Sequence, residues 1–438
     1  MAHILIAIFL FSAAALQGQR VLAITAARMI DGRGGPPVAD AVVVVRGDRI
    51  EAAGPRSRVT IPPGAERIDL GDQTILPGLI DAHAHLTIRP DVRGITGQLE
   101  GMAEHDARQA LRGARDIRVQ LLSGVTTLYV VGEMHSNDIH LQDAVARGLT
   151  AGPRIFAAGE FITTTAGHGP DASRVTNGPW AMRTLVRKNA EAGASHVKLT
   201  ITDRMRAGPR AGSMLAPGES NFTREEIEAV AQEAHRLGLK ATAHANGPSI
   251  KLALEAGIDS IQHGNDLTDE LIELFVKYKK GFVSTYTITY QWFFNEWAFL
   301  DNEAKTIAEW NGRGRDLITR VRRENAEREQ IAQTRKRDLL KAHRRGVPIA
   351  VGTDSMHGYL PLEMEWLVEA GFTPLEAVTA ATGMAARVLE LPDVGVIEPG
   401  RLADIIAVAG DPGANIRDVT RVKFIMVGGR RFDELSFR

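Results

Sequence analysis

Short apolar segments alternate with amphipathic helical segments through the central part of this chain. Eight of them have the composition of buried strands: residues 79–85, 124–132, 153–161, 195–201, 240–245, 260–264, 281–286 and 348–354. Strands separated by helix-length connections form parallel sheets, because a parallel pairing needs a long crossover. Eight such units predict an α/β fold of the closed (β/α)8 type, a TIM barrel.

The two ends of the chain carry β-rich segments of another kind. Strand candidates separated by Gly- and Pro-rich turns occur at residues 21–25, 41–45, 49–52, 67–70, 400–408 and 422–430. Because chain termini often lie close together, we expect both ends to form one small β-sandwich domain. The predicted boundaries are 20–76 for its N-terminal part, 77–391 for the barrel and 392–438 for its C-terminal part.

The connection between the seventh and eighth strand candidates is much longer than the others. It covers residues 287–345, and the aromatic-rich stretch 290–300 near its start is followed by charged helical sequence. A connection of this length normally has structure of its own and is often functional. We expect a pair of amphipathic helices with a solvated face. A lid or a subunit contact near the barrel mouth is the alternative.

An apolar run occupies residues 4–16, ahead of small and polar residues. Its length is typical of a signal peptide and is short for a helix that spans a bilayer, although no Lys or Arg precedes it. We expect residues 1–19 to be a signal peptide and the mature protein to be secreted or periplasmic, with no membrane attachment. A cytoplasmic protein with an apolar N-terminal strand is the alternative.

Composition limits the chemistry that the chain can perform. It has no cysteine and a formal net charge of -1. The absence of cysteine excludes disulfides, thiolate nucleophiles and thiolate zinc sites. The sequence has no basic stripe that would bind nucleic acid. Any metal must therefore be held by histidine, carboxylate or a modified lysine, and we expect a small-molecule substrate.

Potential metal ligands occur at the carboxyl ends of five of the predicted barrel strands. They are His83 and His85 on strand one, Lys198 on strand four, His244 on strand five, His263 on strand six and Asp354 on strand eight. In a (β/α)8 barrel these ends converge on one mouth. Any one of these residues alone is a weak signal. Their concentration at one mouth favours a metal centre.

The motifs around these residues resemble those of the amidohydrolase superfamily. The matching segments are Leu-Pro-Gly-Leu-Ile-Asp-Ala-His-Ala-His at 76–85, Ala-His-Ala-Asn-Gly at 243–247, Ile-Gln-His-Gly at 261–264 and Gly-Thr-Asp-Ser at 352–355. With the split β domain, the resemblance covers nearly the whole chain after residue 19. Within the superfamily the chain is most similar to the dipeptidase and carboxypeptidase-like branch, alongside imidazolonepropionase and ochratoxin-cleaving relatives.

The resemblance implies two divalent metal ions. One would be held by His83, His85 and Asp354, the other by His244 and His263, with Lys198 shared between them. These ligands suit zinc, manganese, cobalt or iron, and zinc is the expected metal.

In the family the shared lysine is carbamylated, so Lys198 would be an N6-carboxylysine. An ammonium group cannot bind a metal, whereas a lysine buried among apolar neighbours has a lowered pKa and can react with CO2. Two ions can then share a hydroxide, and Asp354 can act as the catalytic base that takes its proton.

The resemblance also implies substrate contacts. His168, in the Gly-His-Gly loop after strand three, would contact the substrate, as would a tyrosine beyond strand seven. That tyrosine is Tyr286, with Tyr290 as a rival because the local sequence departs from the family pattern. Arg204 or Arg206 could bind a substrate carboxylate, although each is explained more simply as a solvated loop residue.

The function implied is a metal-dependent amidohydrolase that cleaves the amide bond of a dipeptide or an N-acyl amino acid, including ochratoxin-type aromatic amides, by attack of a metal-bridging hydroxide. A cyclic amide or lactone hydrolase with the same centre is the first alternative. The alternative outside the enzymes is a non-catalytic barrel that retains metal only for stability or binds a ligand without turnover. Relatives are commonly homo-oligomers, so we expect the same here.

Overall fold

The computed structural model describes residues 20–87, 104–165, 167–169, 174–202, 205–206, 212–213, 218–293 and 305–432. The expected signal peptide at 1–19 lies outside these residues, as do Arg204 and the side chain of Arg206. Among the described helices, none combines the length and the apolar character needed to cross a bilayer.

Five strands precede the central part of the chain. They are β1 (Val21–Met29), β2 (Val38–Arg46), β3 (Arg49–Pro55), β4 (Glu66–Asp69) and β5 (Gln73–Pro77). The four consecutive valines of β2 are fully buried. This is the environment that β-branched side chains favour.

The central part contains twelve strands. They are β6 (Leu79–Ala84), β7 (Val125–Val130), β8 (Arg154–Phe156), β9 (Ile162–Thr163), β10 (Arg174–Val175), β11 (His196–Thr200), β12 (Met205–Arg206), β13 (Gly212–Ser213), β14 (Lys240–Ala245), β15 (Ser260–His263), β16 (Gly281–Ser284) and β17 (Ile349–Val351). Each of the eight predicted strand segments contains one of them. The other four are only two residues long, too short to give an apolar run in the sequence.

Eleven α-helices lie within the described residues. They are α1 (Asp106–Leu122), α2 (Asn137–Ala146), α3 (Pro179–Ala192), α4 (Arg224–Arg236), α5 (Ser249–Glu255), α6 (Asp269–Tyr278), α7 (Ile307–Glu324), α8 (Ala326–Arg344), α9 (Leu360–Ala370), α10 (Pro374–Ala380) and α11 (Gly383–Val388). Local sequence explains several helix ends. For example, Thr223 and Glu226 form a reciprocal capping box at the start of α4.

Strands from both ends of the chain share one hydrogen-bonded sheet. The last strands are β18 (Ile405–Ala409), β19 (Val422–Val427) and β20 (Arg430–Arg431). The strand order is β20-β19-β18-β5-β1-β2-β3, and β4 pairs with β1. Antiparallel pairing of β18 with β5 joins the two ends. The two-layer sandwich and the domain boundaries stay predictions.

The central strands form two larger parallel sheets. One has the order β10-β9-β11-β14-β15-β16-β17, and the other has the order β6-β7-β8. All pairings within both sheets are parallel. The fold is therefore of the α/β class, as predicted.

Backbone hydrogen bonds connect the two parallel sheets at two places. At one seam, the amide of Asp354 donates to the carbonyl of His83 at 2.7 Å, and the amide of His85 donates to the carbonyl of Asp354 at 2.9 Å. At the other, the amide of Ser195 donates to the carbonyl of Ala157 at 2.8 Å. The first seam brings predicted ligands from opposite ends of the barrel sequence together. Closure into a (β/α)8 barrel stays a prediction.

The long connection after β16 is helical where it is described. A 3₁₀ helix (Thr287–Phe293) follows β16, and α7 and α8 are separated by Asn325. The side chain of Asn325 accepts a hydrogen bond from the amide of Arg328 at 3.1 Å and so caps α8. The stretch 294–304 lies outside the described residues.

A buried carboxylate ties β6 to the chain after β17. Asp81 is fully buried, and its carboxylate accepts hydrogen bonds from the amide and the hydroxyl of Thr353 at 2.9 and 2.5 Å and from Nε2 of Gln120 at 2.7 Å. Burial raises the pKa of Asp81 to about 6. Above this pH the carboxylate accepts from all of these donors at once.

We expect Asp81→Asn to destabilise the fold by about 2–3 kcal/mol at pH 8, because an NH2 group replaces one acceptor among buried donors. Urea unfolding followed by circular dichroism measures the effect. Asp72→Asn is the matched control: Asp72 is exposed and pairs with Arg28, so its replacement should change stability by less than about 0.5 kcal/mol. Equal midpoints for the two variants would contradict this account of the seam.

Candidate metal centre

The predicted metal ligands cluster at the carboxyl ends of the parallel strands. One potential ligand atom from each of His83, His263 and Asp354 lies within 4.8 Å of the others. The Nε2 atom of His83 is 3.6 Å from the Asp354 carboxylate, and Nε2 of His85 is 3.9 Å from it. The ring centroids of His244 and His263 are 4.4 Å apart. The structure therefore brings all four histidines and the aspartate together.

The outward nitrogen of each strand-one histidine already has a partner. Nδ1 of His83 donates to Oε1 of Gln262 at 2.8 Å, and Nδ1 of His85 donates to the carbonyl of Gly132 at 2.7 Å. Nε2 of His83 is buried and has no hydrogen-bond partner among the described residues. An imidazole held at one nitrogen with the other one unsatisfied is the arrangement expected of a metal ligand.

Sequence reasoning missed the residues that orient these rings. Thr285, directly after β16, hydrogen bonds to Nδ1 of His263 at 2.6 Å. Gln262 is itself fixed, because its Nε2 donates to Oγ1 of Thr242 at 2.8 Å. The only sequence signal for Gln262 is its place beside His263 in the Ile-Gln-His-Gly motif.

Two of the predicted ligand residues have left-handed backbone conformations. The φ angle is 73° at His263 and 61° at Asp354. Residues other than glycine seldom adopt this region, and those that do are concentrated at functional sites. At both positions the chain turns at the ligand residue itself.

Burial keeps His83, His85 and His263 neutral. It lowers the pKa of His83 and of His263 well below the usual value, and it lowers the pKa of His85 to about 3. The nearby charge of Lys198 lowers the pKa of His83 and His85 further. A neutral imidazole is the form whose nitrogen lone pair binds a metal.

Lys198 and Asp354 share this buried environment. Lys198 on β11 is only 2% exposed. Burial lowers the pKa of Lys198, against the opposing effect of Asp354, and burial raises the pKa of Asp354, against the opposing effect of Lys198. In each group the charge of the partner only partly offsets the effect of burial.

A buried glutamate that sequence reasoning missed holds the chain beside His85. Glu133 follows β7, and its carboxylate accepts hydrogen bonds from the amides of Leu86 and Thr87, the latter at 3.1 Å. One of its oxygens is 3.9 Å from Nδ1 of His85. Burial raises the pKa of Glu133 to about 8. Its place at the carboxyl end of a strand was the available sequence signal.

The predicted substrate residues fall into two groups. His168 lies at the candidate metal centre, where its ring stacks on His244 with centroids 4.4 Å apart. The hydroxyls of Tyr286 and Tyr290 hydrogen bond to each other at 2.9 Å, and Tyr286 stacks on Trp366 of α9. The two tyrosines thus contact each other, and Tyr286 also contacts helix α9. Their contact with substrate stays a prediction.

We expect Gln262→Leu to weaken metal binding about 10–100-fold, because the ring of His83 loses the partner that fixes its orientation. Competition with a chelator of known affinity measures the change. Gln232→Leu is the control, since Gln232 is exposed on α4 and bonds to Arg183. Unchanged affinity in Gln262→Leu would exclude an orienting role for this amide.

Comparison with known proteins identifies the family. Residues 74–432 match the model of the Amidohydrolase family. Ochratoxinase from Aspergillus niger is 26% identical over 450 residues, which cover 94% of this chain and 87% of the relative. Imidazolonepropionase from Pyrobaculum arsenaticum is 26% identical over 396 residues, which cover 84% of this chain and 85% of the relative.

Solved structures agree with these matches. A Xaa-Pro dipeptidase with bound methionine in the active site is 30% identical, with a TM-score of 0.75 over 94% of this chain and all of that chain. The structure of A. niger ochratoxinase, at 24% identity, has the same fold, with a TM-score of 0.77 over 95% of this chain and 96% of that chain. The chain belongs to the amidohydrolase family and is a hydrolase that acts on carbon–nitrogen bonds.

Proposed function

We propose that this protein hydrolyses the amide bond of a dipeptide or an N-acyl amino acid at a pair of divalent metal ions in the mouth of a closed (β/α)8 barrel. The observation that carries the proposal is the cluster of His83, His263 and Asp354, whose ligand atoms lie within 4.8 Å of one another. The likeness to a Xaa-Pro dipeptidase and to ochratoxinase supports the substrate class.

The donor set fits divalent metal ions. Neutral imidazoles and a carboxylate are zinc ligands, and the buried, unsatisfied Nε2 of His83 needs a partner. The proposed assignment is His83, His85 and Asp354 to one ion, His244 and His263 to the other, and Lys198 to both. When bound, the ions would supply an activated water and polarise the scissile carbonyl.

Lys198 is proposed to act as a carbamate. Burial favours its neutral amine, the form that reacts with CO2. The Nζ lone pair forms a bond to the carbon of CO2, the π electron pair of one C=O bond moves to its oxygen, and Nζ releases a proton to water. The product is an anion with two oxygen donors. An unmodified ammonium in the same place would repel two metal ions.

Asp354 is the proposed proton carrier. Its carboxylate lies near Nε2 of His83 and Nε2 of His85. Its amide donates a hydrogen bond to the carbonyl of His83, and its carbonyl accepts one from the amide of His85. From this position the carboxylate can take a proton from the attacking water and deliver it to the amine that leaves. His168, stacked on His244, lies where it can contact the substrate.

A second candidate is hydrolysis of a cyclic amide or a lactone. The likeness to imidazolonepropionase favours it, and the same ligand set would serve. The two candidates differ in substrate and not in the catalytic groups.

A hydrolysis screen of metal-loaded protein separates them. We expect kcat/KM for N-acyl amino acids or dipeptides to exceed that for cyclic amides and lactones by at least about 100-fold, a difference of about 2.7 kcal/mol in transition-state binding. Release of free amino acid, measured by chromatography, is the readout. Ring opening without cleavage of any linear amide would support the second candidate.

We expect Lys198→Ala to lose most of its bound metal, because the site loses the donor shared by both ions. Elemental analysis of purified protein measures this independently of activity. Lys188→Ala, on the exposed face of α3, should keep the metal content of the unaltered protein. A Lys198→Ala protein with two metal ions and full activity would disprove the carbamate assignment.

A further inference from the structure

Most basic side chains on the two insertion helices have carboxylate partners. Four examples on α7 and α8 are the pairs Arg315–Glu365, Arg322–Glu329, Lys336–Glu369 and Lys341–Asp269. Arg328 and Arg335 of α8 do not follow this pattern, although both are partly buried. Within the described part of the chain, neither forms an ion pair with a carboxylate.

Both arginines instead contact one threonine of the 3₁₀ helix after β16. Arg335 donates from Nη1 to the hydroxyl of Thr289, and Arg328 donates from Nη1 to the carbonyl of Thr289 at 3.5 Å. The two arginines are seven residues apart, so they lie two turns apart on the same face of α8. They form an arginine pair directed at the segment that follows β16.

The arginine pair has unused hydrogen-bond donors. A guanidinium carries five N–H groups, and each arginine uses one of them on Thr289. Nε of Arg328 is buried without a hydrogen-bond partner among the described residues. Burial lowers the pKa of Arg335, although its side chain remains partly accessible. Two partly buried guanidinium groups with free donors favour the binding of an anion.

The arginine pair lies beside the loops that follow the metal-ligating strands. Thr289 comes four residues after Thr285, whose hydroxyl bonds to His263. Asp266, whose charge acts on Arg335, comes three residues after His263. The arginine pair therefore lies near the loops that follow β15 and β16, at the carboxyl ends of these two strands.

We propose that Arg335, assisted by Arg328, binds the free carboxylate of the amide substrate. This inference rests on the proposed function, since a dipeptide or an N-acyl amino acid carries this carboxylate one residue beyond the scissile bond. A planar guanidinium matches a carboxylate through two parallel hydrogen bonds. The pair would thus select substrates that end in an amino acid with a free carboxylate.

Paired substrates test the proposal. N-benzoyl-L-phenylalanine carries the free carboxylate, and N-benzoyl-L-phenylalaninamide lacks it. With metal-loaded enzyme, we expect Arg335→Met to raise KM for the acid about 10–100-fold and to leave kcat and KM for the carboxamide within about twofold. Arg337→Met, an exposed residue of the same helix, makes the same charge change and should alter neither substrate. Equal losses on both substrates, or no loss on the acid, would overturn the proposal.

A purely structural role for Arg335 predicts a different result for a second variant, Thr289→Val. If Arg335 only holds the 3₁₀ helix, Thr289→Val, which removes the hydroxyl, should reproduce the effects of Arg335→Met on both substrates. If Arg335 binds the carboxylate, Thr289→Val should change KM for the acid by less than about threefold. Should Arg335→Met fail to fold, Arg335→Lys keeps the charge without the planar fork, and a KM raised for the acid alone supports the proposal.

Failure of the proposed function is recognised separately. If the unaltered enzyme releases benzoate from neither substrate, calorimetric titration of the same protein with N-benzoyl-L-phenylalanine tests the arginine pair alone. Tighter binding of the acid than of the carboxamide, lost in Arg335→Met, would retain the anion subsite. Equal affinities would reject it.

Discussion

Backbone hydrogen bonds join Asp354, three residues after β17, to His83 and His85 at the end of β6, and they hold the two ends of the candidate metal centre in register. The amide of Asp354 is hydrogen bonded to His83 and its carbonyl to His85, so the predicted carboxylate ligand is held beside the two histidines of strand one. Asp81 reinforces the seam from within β6 by accepting hydrogen bonds from Thr353. A shift of one residue at this seam would turn the ligands to the other face of the sheet.

Other buried carboxylates also accept backbone hydrogen bonds from the chain near the strand ends. Glu133 holds the chain after β6. Asp138 accepts hydrogen bonds from the amides of Ala158 and Gly159 at 2.8 Å each. Glu363 accepts hydrogen bonds from the amides of residues 286 and 287 after β16. In each case a desolvated acid is stabilised by backbone donors that would otherwise be unsatisfied. The loops that shape the candidate metal centre are thereby fixed to the rigid part of the fold.

The long insertion after β16 combines two roles in this arrangement. One face of α7 packs inward through residues such as Trp310 and Ile318, which are buried. On α8, Arg328 and Arg335 turn toward the segment that begins beside His263. The helical pair thus supplies packing and also places two cations beside the segment that follows β16. An amide substrate with its carbonyl at the metal centre and its carboxylate at the arginine pair would be oriented at both ends.

The sequence by itself determined the strand segments and the residues at their carboxyl ends, because apolar runs and the residues that end them are local properties. His83, His85, Lys198 and Asp354 could be selected on that basis, and the family followed from their motifs. Tertiary structure alone decided which groups orient the histidine rings, such as Gln262 at His83. It also decided that Arg328 and Arg335 form no ion pair with a carboxylate within the described residues. These contacts depend on residues that are distant in the chain, which leave no periodic signal in the sequence. The left-handed backbone at His263 and Asp354 leaves no such signal either.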